Sequence, residues 1–472
     1  MPFRWHRDSL TWIALATMLF VLVRAATQSI TIDEAMTYLM FTSRSPEFLW
    51  WPASNNHLLN SLLSYPFLQY FGPSELTVRA AAMIGAALYI TAAHRLSALY
   101  SPISLRWTVQ LCLTLNPMIL DYLTAARGYG LATGFLLWAI VFIARPQPWT
   151  ARRAVLFSLC LGLSVVSNFA FALINTFIFA AGLLAVRRTS PFSARTLAAL
   201  AIPGLLSLSL AIPTLIRWPP GQLFFGAGSL PELFVTLLDG SLHNLPLAAG
   251  SPYIGLAIVA LCGTFATIHT VFLWRTGAQQ STPLSLSRQL AATAVAALIG
   301  HWFLFRTLGI LLPKERTALY LIPIATLILA GIASSPPRWT SAQRVLCLAL
   351  AALAAHYALS LRWTYFHQWE WDADTRSLYQ ETVRLTATGC PRTVVSDWRF
   401  ATCLEFYQKI LATEPVFKIF SYESGASPVR DALFVLHPIH NRDIWQAANL
   451  QVLYRAPRSE AVIAAPANAC LR

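Results

Sequence analysis

Asp33 and Glu34 stand side by side in Thr31-Ile-Asp-Glu-Ala-Met-Thr-Tyr38, directly after the first apolar run of a 472-residue chain that holds only 20 acidic residues. A charged side chain beside hydrocarbon costs free energy unless it pairs, hydrates or lines a polar cavity. Adjacent carboxylates suit proton abstraction: Asp33 would take the proton of an incoming hydroxyl while Glu34 orients the acceptor or tunes its neighbour. Further on, Asp121, Arg127 and Tyr129 cluster around one gap between apolar runs, and Lys314-Glu315-Arg316 fills another. Lys314 is the only lysine in the first 408 residues of a chain that otherwise uses arginine. Arginine and lysine suit a departing phosphate, so Arg127, Lys314 and Arg316 are candidates to clamp one. Asn56 and His57 are candidates to touch the same group or an acceptor.

Each of these residues has a plainer reading. Asp33 could cap a juxtamembrane helix, Arg127 could anchor the interface, and Lys314-Glu315-Arg316 could be a loop with its own ion pair. His57 could be a packed histidine, and Asp121 a structural partner for Arg127. Glu75 and Arg79 read as interface residues that pair locally, and Asp372 and Asp374 as minor candidates near the membrane.

Composition sets what positions these groups. Hydrophobic residues make up 56% and charged residues 11%, with a mean hydropathy of +0.55. These values exclude soluble, disordered and collagen-like chains. The net charge of +14 does not indicate nucleic acid, because most arginines of the apolar region fall in short gaps between runs, as in positive-inside loops. Eleven spans are expected, near 10–27, 78–97, 105–124, 128–144, 154–167, 168–187, 197–216, 252–273, 289–312, 317–335 and 343–362. Ser167-Asn168 is the expected turn in a run too long for one helix. His57–Phe71, short and interrupted by Pro66, reads as a helix in the interface rather than a span.

With the N-terminus inside, each cytoplasmic gap carries at least two arginines: Arg95/Arg106, Arg145/Arg152/Arg153, Arg187/Arg188/Arg195, Arg275/Arg288 and Arg338/Arg344. Asp33-Glu34, Asp121, Arg127 and Lys314-Glu315-Arg316 then fall on the extracytoplasmic side. The N-terminal run reads as an uncleaved signal anchor. The expected architecture is an all-α polytopic membrane domain (residues 1–362, first extracytoplasmic loop 28–77) followed by a small α/β extracytoplasmic domain (363–472). In that tail, helices are expected at 376–387 and Phe400–Leu411, and strands at Thr393–Ser396, Ala432–Leu436 and Leu450–Tyr454. Trp363, Trp369 and Trp371 read as an aromatic belt. Cys112, Cys160, Cys262 and Cys347 read as small buried residues in spans, whereas Cys390, Cys403 and Cys470 allow three single pairings.

The Asp-Glu pair after the first span, Asn55-Asn-His-Leu-Leu-Asn60, and Phe71-Gly-Pro-Ser-Glu-Leu-Thr-Val-Arg79 together resemble the GT-C superfamily of integral-membrane glycosyltransferases. Asn116-Pro117, Ala126-Arg-Gly-Tyr-Gly130 and Lys314-Glu-Arg-Thr-Ala-Leu-Tyr-Leu-Ile-Pro323 extend that likeness toward bacterial relatives of protein O-mannosyltransferases and lipid A aminoarabinose transferase. The resemblance implies a sugar donor on a polyprenyl phosphate and an acceptor (protein, lipid or glycan) reached from outside, while the preference for arginine over lysine and the compact loops suggest a bacterial inner membrane. It implies no obligatory cofactor, although two neighbouring carboxylates could hold a divalent cation. The related enzymes often carry His-Pro-Pro or Lys-Pro where this chain has Asn56-His57-Leu58, so contacts there do not transfer. A transporter or lipid flippase and a scaffold with a binding tail are the competing classes.

Overall fold

The structure, a computed structural model, describes residues 9–470 apart from 146, 190–192, 244–281, 335–339, 413, 423–430 and 468. Among the described residues the chain is mostly helical with one small sheet, and apolar helices make it an integral membrane protein. A helix occupies each expected run except 252–273, which lies, with Cys262, outside the described residues. Among the described residues, Ser9–Thr27, Phe169–Arg188 and Thr282–Leu308 are each long and apolar enough to cross a membrane. Pro117–Thr124 and Tyr129–Ala144, bent by 112°, make a fourth if read as one broken span. Leu15, Leu19, Ile299 and Phe303 are exposed on such helices, as side chains that meet lipid would be.

The run 105–124 is broken where its sequence breaks it. The helix Ile103–Leu115 ends at Asn116, whose Oδ1 accepts from the Ile119 backbone N–H at 3.0 Å and starts Pro117–Thr124. Proline at the first helical position lacks only a donor that would be orphaned anyway, and it disfavours helix in the residue before it. Likewise Ala151–Ser167 stops at the expected Ser167-Asn168 break, and Asn168 caps a short 3₁₀ turn, Phe169–Phe171. Leu58–Phe71 forms a 14-residue helix containing Pro66.

The chain divides into two compact units. One comprises residues up to Val23, Trp50–Leu62 and Ala81–Leu361. Its helices approach closely at small residues, as lipid-embedded helices do. A Cβ on Gly162 would stand 2.6 Å from the Gly204 carbonyl oxygen, and the Ser158 hydroxyl accepts from the Gly204 N–H at 2.8 Å.

The second unit is more than the tail. It joins Arg362 onward to Arg24–Leu49 and Leu63–Ala80, both from the first loop region. Its five strands are β1 (Thr393–Ser396), β2 (Lys418–Ser421), β3 (Leu433–Leu436), β4 (Leu450–Arg455) and β5 (Val462–Pro466). They run in the order β2-β1-β3-β5-β4, with β1 parallel to β2 and β3, and β5 antiparallel to β3 and β4. Val395, Phe434, Leu436, Ile444 and Ala464 form the core behind the sheet. Helices Thr375–Ala387 and Trp398–Leu411 match expectation, whereas β2, β5 and the helix Arg442–Ala448 were not foreseen. Of the three cysteine pairings, Cys390–Cys470 is the one formed, and Cys403 is a buried thiol.

Candidate active site

In the second unit the acidic pair occupies a five-residue helix, Ile32–Met36, too short to persist alone. Thr31 caps it: its hydroxyl accepts from the Glu34 N–H at 3.3 Å, and its own N–H donates to Glu34 Oε2 at 2.9 Å. This reciprocal box explains why Thr precedes the pair by these spacings. Arg79 then grips Glu34 in a two-pronged ion pair, Nε to Oε1 and Nη2 to Oε2, both at 2.8 Å. Its remaining hydrogens go to the carbonyls of Ala25 (3.0 Å), Gln28 (2.8 Å) and Ser29 (2.8 Å). Both side chains of the pair are 0% exposed.

Arg79 was expected to pair with Glu75 nearby. It bonds instead to a carboxylate 45 residues earlier, because the fork fits the helix start where the first chain segment turns. Glu75 pairs with Arg376, whose Nε lies 2.9 Å from Oε1.

Asp33 is treated differently. It stays partly exposed, and its Oδ2 accepts from the Trp369 indole N–H at 3.1 Å. Trp369 was expected in an aromatic belt with Trp363 and Trp371. Those two are 55% and 38% exposed, but Trp369 is 2% exposed. Its backbone (φ −136°, ψ 48°) breaks the 3₁₀ stretch His367–Asp372 and turns the ring inward. Three residues on, Asp372 Oδ2 accepts from the Ile32 N–H at 2.8 Å. Burial pushes the Asp372 carboxyl well above its ordinary pKa; the Ile32 bond opposes this and the charges of Asp33 and Glu34 add to it. Its Oδ1 has no hydrogen-bond partner among the described residues. Asp374 serves a loop, accepting from the Arg458 and Ser459 N–H groups at 2.9 and 2.7 Å.

The other unit carries the basic candidates. Arg127, 3% exposed, donates to the Asn55 side-chain oxygen. His57 is buried, with its ring edge-on to Tyr129 at 5.1 Å and Asn168 Nδ2 3.4 Å from Nδ1. Its Nε2 has no hydrogen-bond partner among the described residues. Burial, reinforced by the charges of Arg127 and Arg316, holds the imidazole well below its ordinary pKa and so neutral. Gly128 makes this packing feasible, since a Cβ there would stand 1.9 Å from the Ser167 carbonyl oxygen and 2.9 Å from the His57 Cβ. Arg-Gly-Tyr is thus read by shape: the charge, the close approach and the ring that seats His57.

Asn56 is spent on its own loop, accepting from Ser61 Oγ at 2.8 Å and donating to the Trp51 carbonyl at 3.0 Å. Asp121 is buried in Pro117–Thr124. Lys314 pairs with Glu232 Oε1 at 2.9 Å, not with Glu315, and Arg316 lies 4.3 Å over the Phe225 ring. Glu315 takes a left-handed backbone (φ 45°) and its N–H donates to Thr236. Among the described residues no three His, Cys, Asp or Glu side chains gather as metal ligands. Sequence reasoning missed Arg79 as the partner of Glu34, along with Trp369 and Asn168. An arginine closing the Gly-Pro-Ser-Glu-Leu-Thr-Val-Arg segment was the available signal for the first.

The fold is that of a helical membrane protein with a discontinuous α/β unit, and comparison with solved structures gives matches of low identity. ArnT from Cupriavidus metallidurans bound to undecaprenyl phosphate is 14% identical, with a TM-score of 0.49 over 97% of this chain and 98% of that one. The same protein in its apo state gives 13% identity and 0.39 over 96% and 97%. The arabinofuranosyltransferase AftD from mycobacteria gives 14% and 0.41 over 87% of this chain and 33% of its own. No protein-family model matches the chain, and no curated protein matches its sequence.

Proposed function

We propose that this chain is a membrane glycosyltransferase that moves a sugar from a polyprenyl-phosphate carrier to an acceptor hydroxyl on the extracytoplasmic face of a bacterial inner membrane. The observation that carries the reading is the unequal treatment of the acidic pair. Glu34 is buried with both oxygens bonded to Arg79, while Asp33 stays partly exposed with one oxygen oriented by an indole N–H. In this reading Asp33 takes the acceptor's proton as the acceptor oxygen bonds to the anomeric carbon. The bond from that carbon to the phosphate oxygen breaks, and polyprenyl phosphate leaves with the bonding electrons. Single displacement inverts the anomeric centre, by analogy with one-step glycoside chemistry. A positioned base contributes about 10²–10⁴-fold.

Glu34 is assigned to hold Asp33 rather than to react. Within the other unit, Arg127 and Arg316, whose charges act on the buried neutral His57, are the candidate cations for a phosphate. Lys314, tied to Glu232, is a loop tether. Eleven crossings with the N-terminus inside complete the reading. The test feeds membranes holding the protein with radiolabelled undecaprenyl-phosphate sugars (mannose, arabinose, 4-amino-arabinose). Covalent transfer that Asp33→Asn abolishes supports the reading. Full transfer by Asp33→Asn refutes the base, and label that only changes leaflet marks a flippase instead.

A further inference from the structure

Two tail residues touch the Asp33 helix at the points that fix its orientation, and both lie in the short stretch His367–Asp372. Trp369 Nε1 meets Asp33 Oδ2 at 3.1 Å, and Asp372 Oδ2 takes the Ile32 N–H at 2.8 Å. The latter is one of the first-turn donors that a helix leaves unsatisfied. Neighbouring bonds tie the same segments: Thr375 Oγ1 to the Ile30 carbonyl at 3.0 Å, Tyr407 Oη to the Ile30 N–H at 2.8 Å, and Ser29 Oγ to the Ala373 carbonyl at 2.8 Å. The indole is itself held, edge-on to Phe366 at 5.9 Å, and Phe366 lies under the guanidinium groups of Arg24 (5.1 Å) and Arg79 (5.2 Å).

We propose that Trp369 and Asp372 are positioning residues for the base: Trp369 fixes one Asp33 oxygen and Asp372 pins the helix that carries it. The inference rests on Asp33 being the base. Trp369 does more than fill space, because an N–H donated to a carboxylate stabilises the charged form that must accept a proton. Asp372 acts as an acceptor, a role its amide analogue retains. The titratable groups facing this corner are Glu34 and Arg79 on one side and Asp372, Arg399 and Cys403 on the other.

The experiment uses purified full-length protein with undecaprenyl-phosphate-linked arabinose, 4-amino-arabinose or mannose, whichever the wild type consumes, and reads transfer across pH. Trp369→Phe keeps an aromatic ring and removes the N–H. It is expected to lower kcat by about 10–100-fold with donor KM within twofold, and to move the acidic limb of the kcat profile up by about one pH unit, the share of a charged hydrogen bond. Asp372→Asn is expected to keep kcat within about threefold, whereas Asp372→Leu loses at least tenfold. The Cys390–Cys470 disulfide, read on a non-reducing gel, reports that each variant has folded. If Asp33→Asn is inactive while Trp369→Phe leaves the acidic limb in place, the inference fails and the base reading stands. An Asp372→Asn variant as dead as Asp33→Asn also overturns it, by showing that the Asp372 carboxyl reacts. An active Asp33→Asn removes the base and the inference together.

Discussion

Removing Arg79 separates a structural Glu34 from a chemical one. Arg79→Met would leave a fully buried carboxylate without its counter-charge, a loss of about 3–5 kcal/mol. It would also strip a donor from the carbonyls of Ala25, Gln28 and Ser29, each adding about 1 kcal/mol where water does not replace it. For a unit of this size, 1 kcal/mol moves the melting midpoint by roughly 2–4 °C, so a fall of about 10 °C or more is expected. Glu34→Gln keeps one acceptor for Arg79 but strands a buried guanidinium, with an expected fall of about 5–10 °C from a loss near 3 kcal/mol. Combining Glu34→Leu with Arg79→Met removes both charges, and the double variant should melt above Arg79→Met alone, since replacing a whole buried pair is far less costly than breaking it. Tryptophan-fluorescence melting of the detergent-purified protein measures all three. Activity is read after correcting for the folded fraction. A Glu34→Gln protein that melts within about 2 °C of wild type yet transfers 100-fold less would refute the structural assignment and make Glu34 a reacting group.

The remaining expectations are simpler. Arg127→Ala and Arg316→Ala should each raise donor KM or lower kcat by tenfold or more in the transfer assay, whereas Lys314→Ala, at a partly exposed ion pair, should change stability by at most about 1 kcal/mol. The folded state binds the Asp372 proton more tightly than the unfolded chain does. Stability is therefore fully present below the ordinary carboxyl pKa near 3.9 and is lost as pH rises toward the native value. Asp372→Asn should flatten that dependence in melts run from pH 4 to 8. Reducing Cys390–Cys470, which spans 80 residues, should lower tail stability by about 4 kcal/mol by releasing loop entropy, while Cys403 should resist maleimide until the unit unfolds.

The helical framework and much of the tail could be read from residue patterns because their signals are local. Thr393–Ser396 has three β-branched residues of four, with Pro391 two positions before it and Asp397 after it, and it is a strand at those residues. β5 has only Val462 and Ile463 as branched residues before two alanines and a proline, a short signal, and β3 and β4 flank it on both sides. The acidic pair stood out because acids are scarce. Its partners did not, since Arg79 is 45 residues away and Trp369 is 336 residues away. A tryptophan near a membrane exit favours the interface by composition, and only tertiary contact sends this one inward. Lys314 shows the converse: its rarity marked it, but a glutamate 82 residues earlier claims it.

The unit that carries Asp33 also has a history along the chain. Ile32 is bonded to a residue 340 positions later, so the ribosome must add that whole stretch before the acidic helix can be completed. At about 5–20 residues per second, Glu34 and Arg79 wait on the order of half a minute for the segment that seals them. A chain cut short anywhere before Trp369 would carry Asp33 without its indole partner. The proposed base is thus set in place only after the membrane helices have been made, and an unfinished chain carries Asp33 without the indole that orients it.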